Sequence, residues 1–301
     1  MKTQHIGESD LICTRLAYGC WRLAGSEGGG RLDPADGRRA VHAAYDAGYT
    51  FFDHADIYGR GECERIFGAA LREMPGARQR MVLATKCGIC PPWDGAQHCY
   101  DSSASHLIAS VEGSLSRLGV DEVDLLMIHR PDYLGDPEEI AGAFSKLRHQ
   151  GKVRWFGVSN FRPSQVSALQ SACDLQLAAN QVEISLATLS ALDDGTLDQC
   201  LESKITPLAW SPLARGALLG SPRDEREAAM HTLLDSLASR EGVTRAEIAL
   251  AWLLRHPSHV IPIVGSVNPE RIRQAIKADS VELTRDDWYA LLIAARGTRL
   301  P

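Results

Sequence analysis

The sequence predicts an α/β chain folded as a (β/α)8 barrel, a single domain over residues 1–301 with two extra helices at about 224–240 and 284–295. Three observations carry this. Short β-rich runs alternate with helical stretches along the whole chain, and such alternation implies parallel pairing through crossovers. The runs number about eight, spread over roughly 250 residues, which is the arithmetic of a closed barrel. The first run is followed by CWRLAGSEGGG, which lacks the G-x-G-x-x-G spacing expected of the alternative, a doubly wound open sheet. The glycines Gly28-Gly29-Gly30 are read as a loop rather than a phosphate cradle.

The strand candidates, in order, are RLAYG (15–19), YTFFD (49–53), MVLATK (81–86) and VDLLMIH (123–129). VRWFGVS (153–159), AANQVEI (178–184), TPLAW (206–210) and VIPIVGS (260–266) complete the set. Between them, Asp33-Pro34 supplies an N-cap and a proline at the first helical position, and that helix ends at Gly48. Ser103 to Leu118 shows three- and four-residue apolar spacing and stops at Gly119. Asp136-Pro137 opens a helix that ends at Gly151. Asn160 precedes a helical stretch from Phe161, Thr244 precedes another, and Asn268-Pro269 opens the last repeat.

Composition limits the function classes. The net charge of −6 argues against a nucleic-acid surface. No apolar run approaches a membrane span, and the first residues show no signal-peptide h-region. Eight cysteines without a secretory signal are expected as free thiols in a reducing cytosol. Cys87-x-x-Cys90 followed by His98-Cys99 has the look of half a zinc site, but a second ligand pair is missing. A thiol-bearing loop with no metal is the preferred reading.

In such a barrel, chemistry sits where strands end and the following loops begin. Strand two ends at Asp53, strand three at Lys86 and strand four at His129, and Tyr58 lies on the loop past Asp53. Asp53 alone suits a turn cap, Lys86 alone suits solvent, and His129 alone suits a core. Together they are expected at one mouth. There the Asp53–Lys86 pair would be partly buried, and the ammonium would draw the Tyr58 phenol pKa down. Tyr58 then serves as general acid toward a carbonyl oxygen, with His129 donating a hydrogen bond to that oxygen. This is machinery for carbonyl reduction, and the hydride must come from a cofactor. Gly59-Arg60-Gly61 reads as a turn, His54 and Asp56 stay outside the chemistry, and Trp21 is expected on the substrate wall. Trp93 fits either the pocket or the barrel rim. The long 87–101 loop is expected to govern substrate choice.

The segments D-x-A-x-x-Y-G (Asp53 to Gly59), Thr85-Lys86 and L-x-x-I-H (Leu125 to His129) resemble the catalytic segments of the aldo-keto reductase family. G-V-S-N-F (157–161), N-Q-V-E (180–183) and W-S-P-L (210–213) resemble its cofactor segments, in the family's order. HRPD, DGTLDQC and AWSPLARG are most similar to the bacterial YdhF-like branch. The resemblance implies NADP(H) as cofactor and a small carbonyl compound as substrate. It implies Tyr58 as proton donor, tuned by Lys86 and Asp53, with His129 orienting the carbonyl. Ser159, Asn160 and Gln181 would hold the nicotinamide carboxamide, and Trp210 would stack on its ring. Ser211 and Leu213, with Pro212 and Gly216 beside them, would line the ribose and pyrophosphate. Ser266 and Arg271 would meet the adenosine 2′-phosphate, with Gly265 beside them in the cofactor site and Gln274 near the adenine. The family often has lysine at Gly265 and asparagine at Ala275, so NADP preference rests mainly on Arg271. A redox-sensing, NADP-binding subunit with slow turnover is the alternative function. A barrel aldolase using Lys86 as a Schiff-base nucleophile is a third. A cytoplasmic monomer is expected.

Overall fold

A computed structural model describes residues 1–26 and 30–300, so Gly28 and Gly29 of the glycine run lie outside the described residues. Eight parallel strands close into a barrel. They are β1 (Ala17–Gly19), β2 (Phe51–Asp53), β3 (Val82–Cys87) and β4 (Val123–Ile128), then β5 (Val153–Ser159), β6 (Ala179–Glu183), β7 (Thr206–Trp210) and β8 (Ile261–Val264). Each pairs in parallel with its sequence neighbours, and β8 returns to β1 through Ile263–Ala17 and Val264–Tyr18. All eight expected strands are present.

The helices are α1 (Pro34–Asp46), α2 (Glu62–Arg72), α3 (Ala104–Leu118), α4 (Pro137–His149), α5 (Pro163–Ala172), α6 (Ser190–Asp193) and α7 (Thr196–Glu202). They continue with α8 (Glu225–Glu241), α9 (Arg245–Leu254), α10 (Pro269–Ala275) and α11 (Arg285–Arg296). The expected caps at Asp33, Ser103, Asp136 and Asn268 each accept a backbone N–H of the first turn, and Thr244 with Glu247 forms a capping box. Asn160 does not cap α5. It stands in the left-handed region, and Arg162, one residue before Pro163, takes the cap position. The sequence reading missed α2, α6 and α7. It also missed a hairpin of Thr3–His5 with Ile12–Thr14.

Strand alternation explains where side chains go, since successive residues face opposite sides. Phe51, Val82, Ala84, Leu125, Met127, Ala179, Leu208, Ile261 and Ile263 form the barrel interior. Ile6 and Leu11, from the N-terminal hairpin, join this cluster, and Gly7 N–H donates to Thr206 Oγ1 at the start of β7. The hairpin therefore plugs the end of the barrel where the strands begin. Residues of opposite parity, such as Phe52, Leu83, Leu126 and Ile128, pack outward against the helices. A second outer core holds α8, α9 and α11, where Trp252 and Trp288 stack at 5.1 Å. Each indole N–H donates to the other residue's carbonyl at 3.1 and 3.0 Å, fastening α11 to α9.

Candidate active site

Continuing the interior parity to the strand ends places Asp53 after Phe51, Lys86 after Ala84, His129 after Met127 and Gln181 after Ala179. All four meet in the barrel mouth. Lys86 is wholly buried and Asp53 nearly so, at 0% and 3% exposure. The sequence reading expected a partly buried pair; the closed barrel removes it from water altogether. Lys86 Nζ donates to Asp53 Oδ1 at 2.7 Å and to the His54 carbonyl at 2.7 Å. Gln181 Nε2 donates to the same Asp53 oxygen at 2.8 Å. Breaking one member of such a pair leaves an uncompensated charge, which costs several kcal/mol. Burial pulls the Lys86 pKa down, and the Asp53 charge opposes that pull.

Tyr58 opens a tight turn, Tyr58–Gly61, in which Gly59, Arg60 and Gly61 all have φ near +60 to +80° before α2 begins (57°, 57° and 83°). Glycine at 59 is required twice over, because a Cβ there would lie 2.9 Å from the Ala24 side chain. The turn sets the Tyr58 ring edge-on to His129, centroids 5.9 Å apart, and 5.2 Å from Lys86 Nζ. The expected lowering of the phenol pKa is not met. Burial pushes Tyr58 well above the ordinary tyrosine value, and Asp53, Cys20 and Cys63 add to this while Arg130 opposes it. The ammonium that would stabilise a phenolate is spent on Asp53 and the His54 carbonyl. Tyr58 therefore holds its proton firmly. His129 is held neutral, its pKa driven well below the usual range by burial and by the charges of Lys86 and Arg130. Its buried Nδ1 has no partner.

Asp53, Tyr58, His129 and Gln181 floor a cleft of about 1020 Å³ that runs from Trp21, Tyr58 and His129 across to α9 and α10. Every residue expected to hold the cofactor lines it, from Ser159, Asn160 and Gln181 through Trp210–Leu213 and Gly216 to Gly265, Ser266, Arg271 and Gln274. Ser159 Oγ donates to the Gln181 carbonyl at 2.9 Å, Asn160 Nδ2 donates to Ser159 Oγ at 2.7 Å, and Trp210 Nε1 donates to Asn160 Oδ1 at 3.0 Å. Asn160, Ser211, Ala214 and Arg215 have positive φ of 50–61°, a region that non-glycine residues enter at a cost. Strain thus gathers along this wall of the cleft.

Apart from Arg271, the sequence reading missed the cleft's arginines. Arg22 donates to the Gly265 carbonyl at 3.0 Å, and a Cβ on Gly265 would sit 3.3 Å from its guanidinium. The cationic position that a lysine at 265 would supply is thus occupied by Arg22, reaching across from the loop after β1. Arg130 and Arg215 lie near the Trp210 ring, at 5.8 and 5.9 Å from its centroid. Two of these follow a predicted site residue directly, Arg22 after Trp21 and Arg130 after His129, so reading one residue further would have found them. Lys86 does not line the cleft, a poor position for a Schiff-base nucleophile. The 88–101 segment also stands off it: Trp93 lies under the Arg60 guanidinium at 5.1 Å and Asp94 pairs with Arg60.

The residues present fit an anionic dinucleotide. The cleft is large, its lining carries Arg22, Arg215 and Arg271, and Trp210, hydrogen-bonded to Asn160, offers an aromatic face. None of these three arginines has a carboxylate within ion-pair distance among the described residues.

Comparison with known proteins agrees. Residues 15–294 match the model of the Aldo/keto reductase family. The chain is 43% identical to a 6-dehydroglucose reductase of Novosphingobium aromaticivorans, covering 99% of this chain and 97% of that one. It is 40% identical to the oxidoreductase YdhF of Escherichia coli, covering 96% and 95%. Among solved structures, the thermostable aldo-keto reductase Tm1743, bound to the inhibitor epalrestat, superposes with a TM-score of 0.85 at 27% identity, covering 98% of this chain and 100% of that one. With the barrel, the strand-end residues and these similarities together, the chain is a member of the aldo/keto reductase family, in its bacterial YdhF-like branch, and an oxidoreductase.

Proposed function

We propose that the protein is an NADPH-dependent reductase of aldehyde or ketone carbonyls, with Tyr58 as the general acid. The observation that carries this reading is the convergence of Tyr58, His129 and the buried Asp53–Lys86 pair at a cleft whose lining is rich in arginine. When bound, NADPH supplies the hydride to the carbonyl carbon. The chain's own residues do the rest. Tyr58 keeps its proton in the resting site and releases it to the carbonyl oxygen only as that oxygen gains negative charge. His129, held neutral and lining the cleft beside Tyr58, orients that oxygen. Lys86 and Asp53 hold each other and the start of the Tyr58 turn through the His54 carbonyl, so the phenol is positioned before substrate arrives. Ser159, Asn160, Gln181 and Trp210 form the linked polar edge that would hold the carboxamide and ring. Arg22 and Arg271 would bind the 2′-phosphate and account for preference over NADH.

Following NADPH absorbance with a panel of small carbonyls, headed by 6-dehydroglucose because of the named relative, tests this reading. Turnover with NADPH exceeding that with NADH is expected. A chain that binds NADPH tightly and turns over no carbonyl would contradict it.

A further inference from the structure

A cluster of metal-ligating side chains lies outside the cleft, on the loop between β3 and α3. The sequence pointed to Cys87, Cys90, His98 and Cys99, and the fold separates that set. Cys87 has outward parity on β3 and is buried against the helices, while His98 is exposed, edge-on to Tyr100. Of that set only Cys90 and Cys99 face each other, and Asp101 and His106 stand where Cys87 and His98 were expected. Ile89–Cys90 pairs antiparallel with Cys99–Tyr100, and Cys90 lies directly opposite Cys99. Cys90, Asp101 and His106 each present a ligand atom, all within 4.8 Å of one another.

Each of these atoms is available. Asp101 Oδ1 accepts the Ser103 N–H at 2.9 Å at the start of α3, which leaves Oδ2 for a ligand. His106 Nδ1 lies 3.7 Å from Asp101 Oδ2, beyond hydrogen-bonding distance, and its Nε2 is buried with no partner. Nδ1, the ring nitrogen that faces Asp101, is therefore the one placed to bind an ion. The carboxylates of Asp101 and Asp56 give Cys90 negatively charged surroundings, which suit a cation.

We propose that Cys90, Cys99, Asp101 and His106 form a tetrahedral zinc site that ties the 88–101 hairpin to the first turn of α3. Two thiolates, one imidazole and one carboxylate suit zinc, a borderline-soft ion that takes S, N and O ligands. Zinc–ligand bonds of about 2.0–2.3 Å put neighbouring ligand atoms about 3.3–3.8 Å apart. Cys90, Asp101 and His106, at no more than 4.8 Å, close onto the ion with a movement of about 1 Å, and Cys99, opposite Cys90 on the exposed two-residue ladder, would supply the fourth ligand. The site would act structurally. Through Trp93 and Asp94 the same loop grips Arg60, two residues beyond Tyr58, so the metal would brace the turn that carries the proton donor.

The test uses the full chain, purified and kept reduced, titrated with zinc against a chromophoric chelator. One zinc per chain is expected. Cobalt(II) in its place should give tetrahedral d–d bands with a thiolate charge-transfer band, the latter falling by about half in Cys99→Ser. His106→Ala and Cys90→Ser should each weaken zinc binding by at least about 100-fold, beyond the range seen when only a supporting residue is lost. His98→Ala should change nothing. The folded state of each variant is read from far-UV dichroism and NADPH binding, and His106→Ala alone suffices if Cys90→Ser does not fold. Failure of the reduced chain to bind zinc overturns the proposal. So does binding that survives in His106→Ala. Neither readout depends on carbonyl turnover.

Discussion

The two walls of the barrel mouth are built differently. On the β2–β4 side, Asp53, Lys86 and His129 are buried and share interior parity, and Lys86 Nζ is fixed at 2.7 Å from both Asp53 Oδ1 and the His54 carbonyl. On the β7–β8 side, Ser211, Arg215 and Arg271 sit on loops or first turns, at the surface, with several residues in strained left-handed backbone. The first wall is rigid and water-excluding, which suits proton transfer. The second is open and cationic, which suits a long anionic ligand that must enter and leave. The contrast shows that one barrel can place its chemistry by strand register and its binding by loop conformation.

Substitutions should separate the walls by what they change. The largest effect is expected for Tyr58→Phe, which keeps the ring against His129 and removes only the proton. kcat should fall by about 10²–10⁴-fold while the NADPH dissociation constant stays within about twofold, read by steady-state kinetics and cofactor fluorescence. A fall in affinity equal to the fall in kcat would erase the distinction between the walls. Next is Lys86→Met, which strands Asp53 in a dry site. A loss of about 3–5 kcal/mol in urea unfolding is expected. The double variant Asp53→Asn with Lys86→Met should lose less than the sum of the singles, because the stranded charge is gone.

Arg271→Ala probes the other wall. The NADPH dissociation constant should rise by about 10-fold, the share of one charge-assisted contact, while NADH binding stays unchanged. If NADPH and NADH weaken equally, Arg271 does not read the 2′-phosphate.

Much of the first wall was legible in the sequence because strand alternation is a strict rule. Once YTFFD, MVLATK and VDLLMIH are read as strands of one closed barrel, their polar ends share a mouth. The second wall was legible only through resemblance. No periodicity tells that Arg22 crosses to Gly265, or that Arg130 and Arg215 lie against Trp210, because the reach of a long side chain from a loop follows no pattern. The missed α2 shows the same limit. It begins after three consecutive positive-φ residues, with Gly61 in place of a side-chain cap, so its start carries no usual signal. The Tyr58 pKa was misjudged for another reason. A list of charges around a phenol omits burial, and burial is the larger effect here.

At neutral pH the smallest change is expected at His54, which the chemistry does not use. It is fully buried, edge-on to Phe67 at 4.5 Å, with neither ring nitrogen partnered. Burial and the Lys86 charge push its pKa down to about 3, from 6.5 when unfolded. The unfolded state then binds a proton that the folded state refuses, so stability is full above pH 6.5 and is lost as pH falls toward 3. The loss is on the order of 1 kcal/mol per pH unit. His54→Leu should unfold like the parent at pH 7.5 and resist acid better at pH 5, measured by urea midpoints on the order of a few tenths molar apart. Equal acid sensitivity would place the titrating group elsewhere.

The account rests most heavily on hydride transfer in this cleft with the proton supplied by Tyr58. The direct measurement is reduction of a carbonyl substrate by NADPH carrying deuterium at the transferable C4 position, with the product alcohol read by mass spectrometry and NMR. One deuterium on the carbinol carbon is predicted for the parent, with product yield in Tyr58→Phe lower by at least about 100-fold under the same conditions. Alcohol that forms without deuterium, or at equal yield in the two proteins, would contradict it.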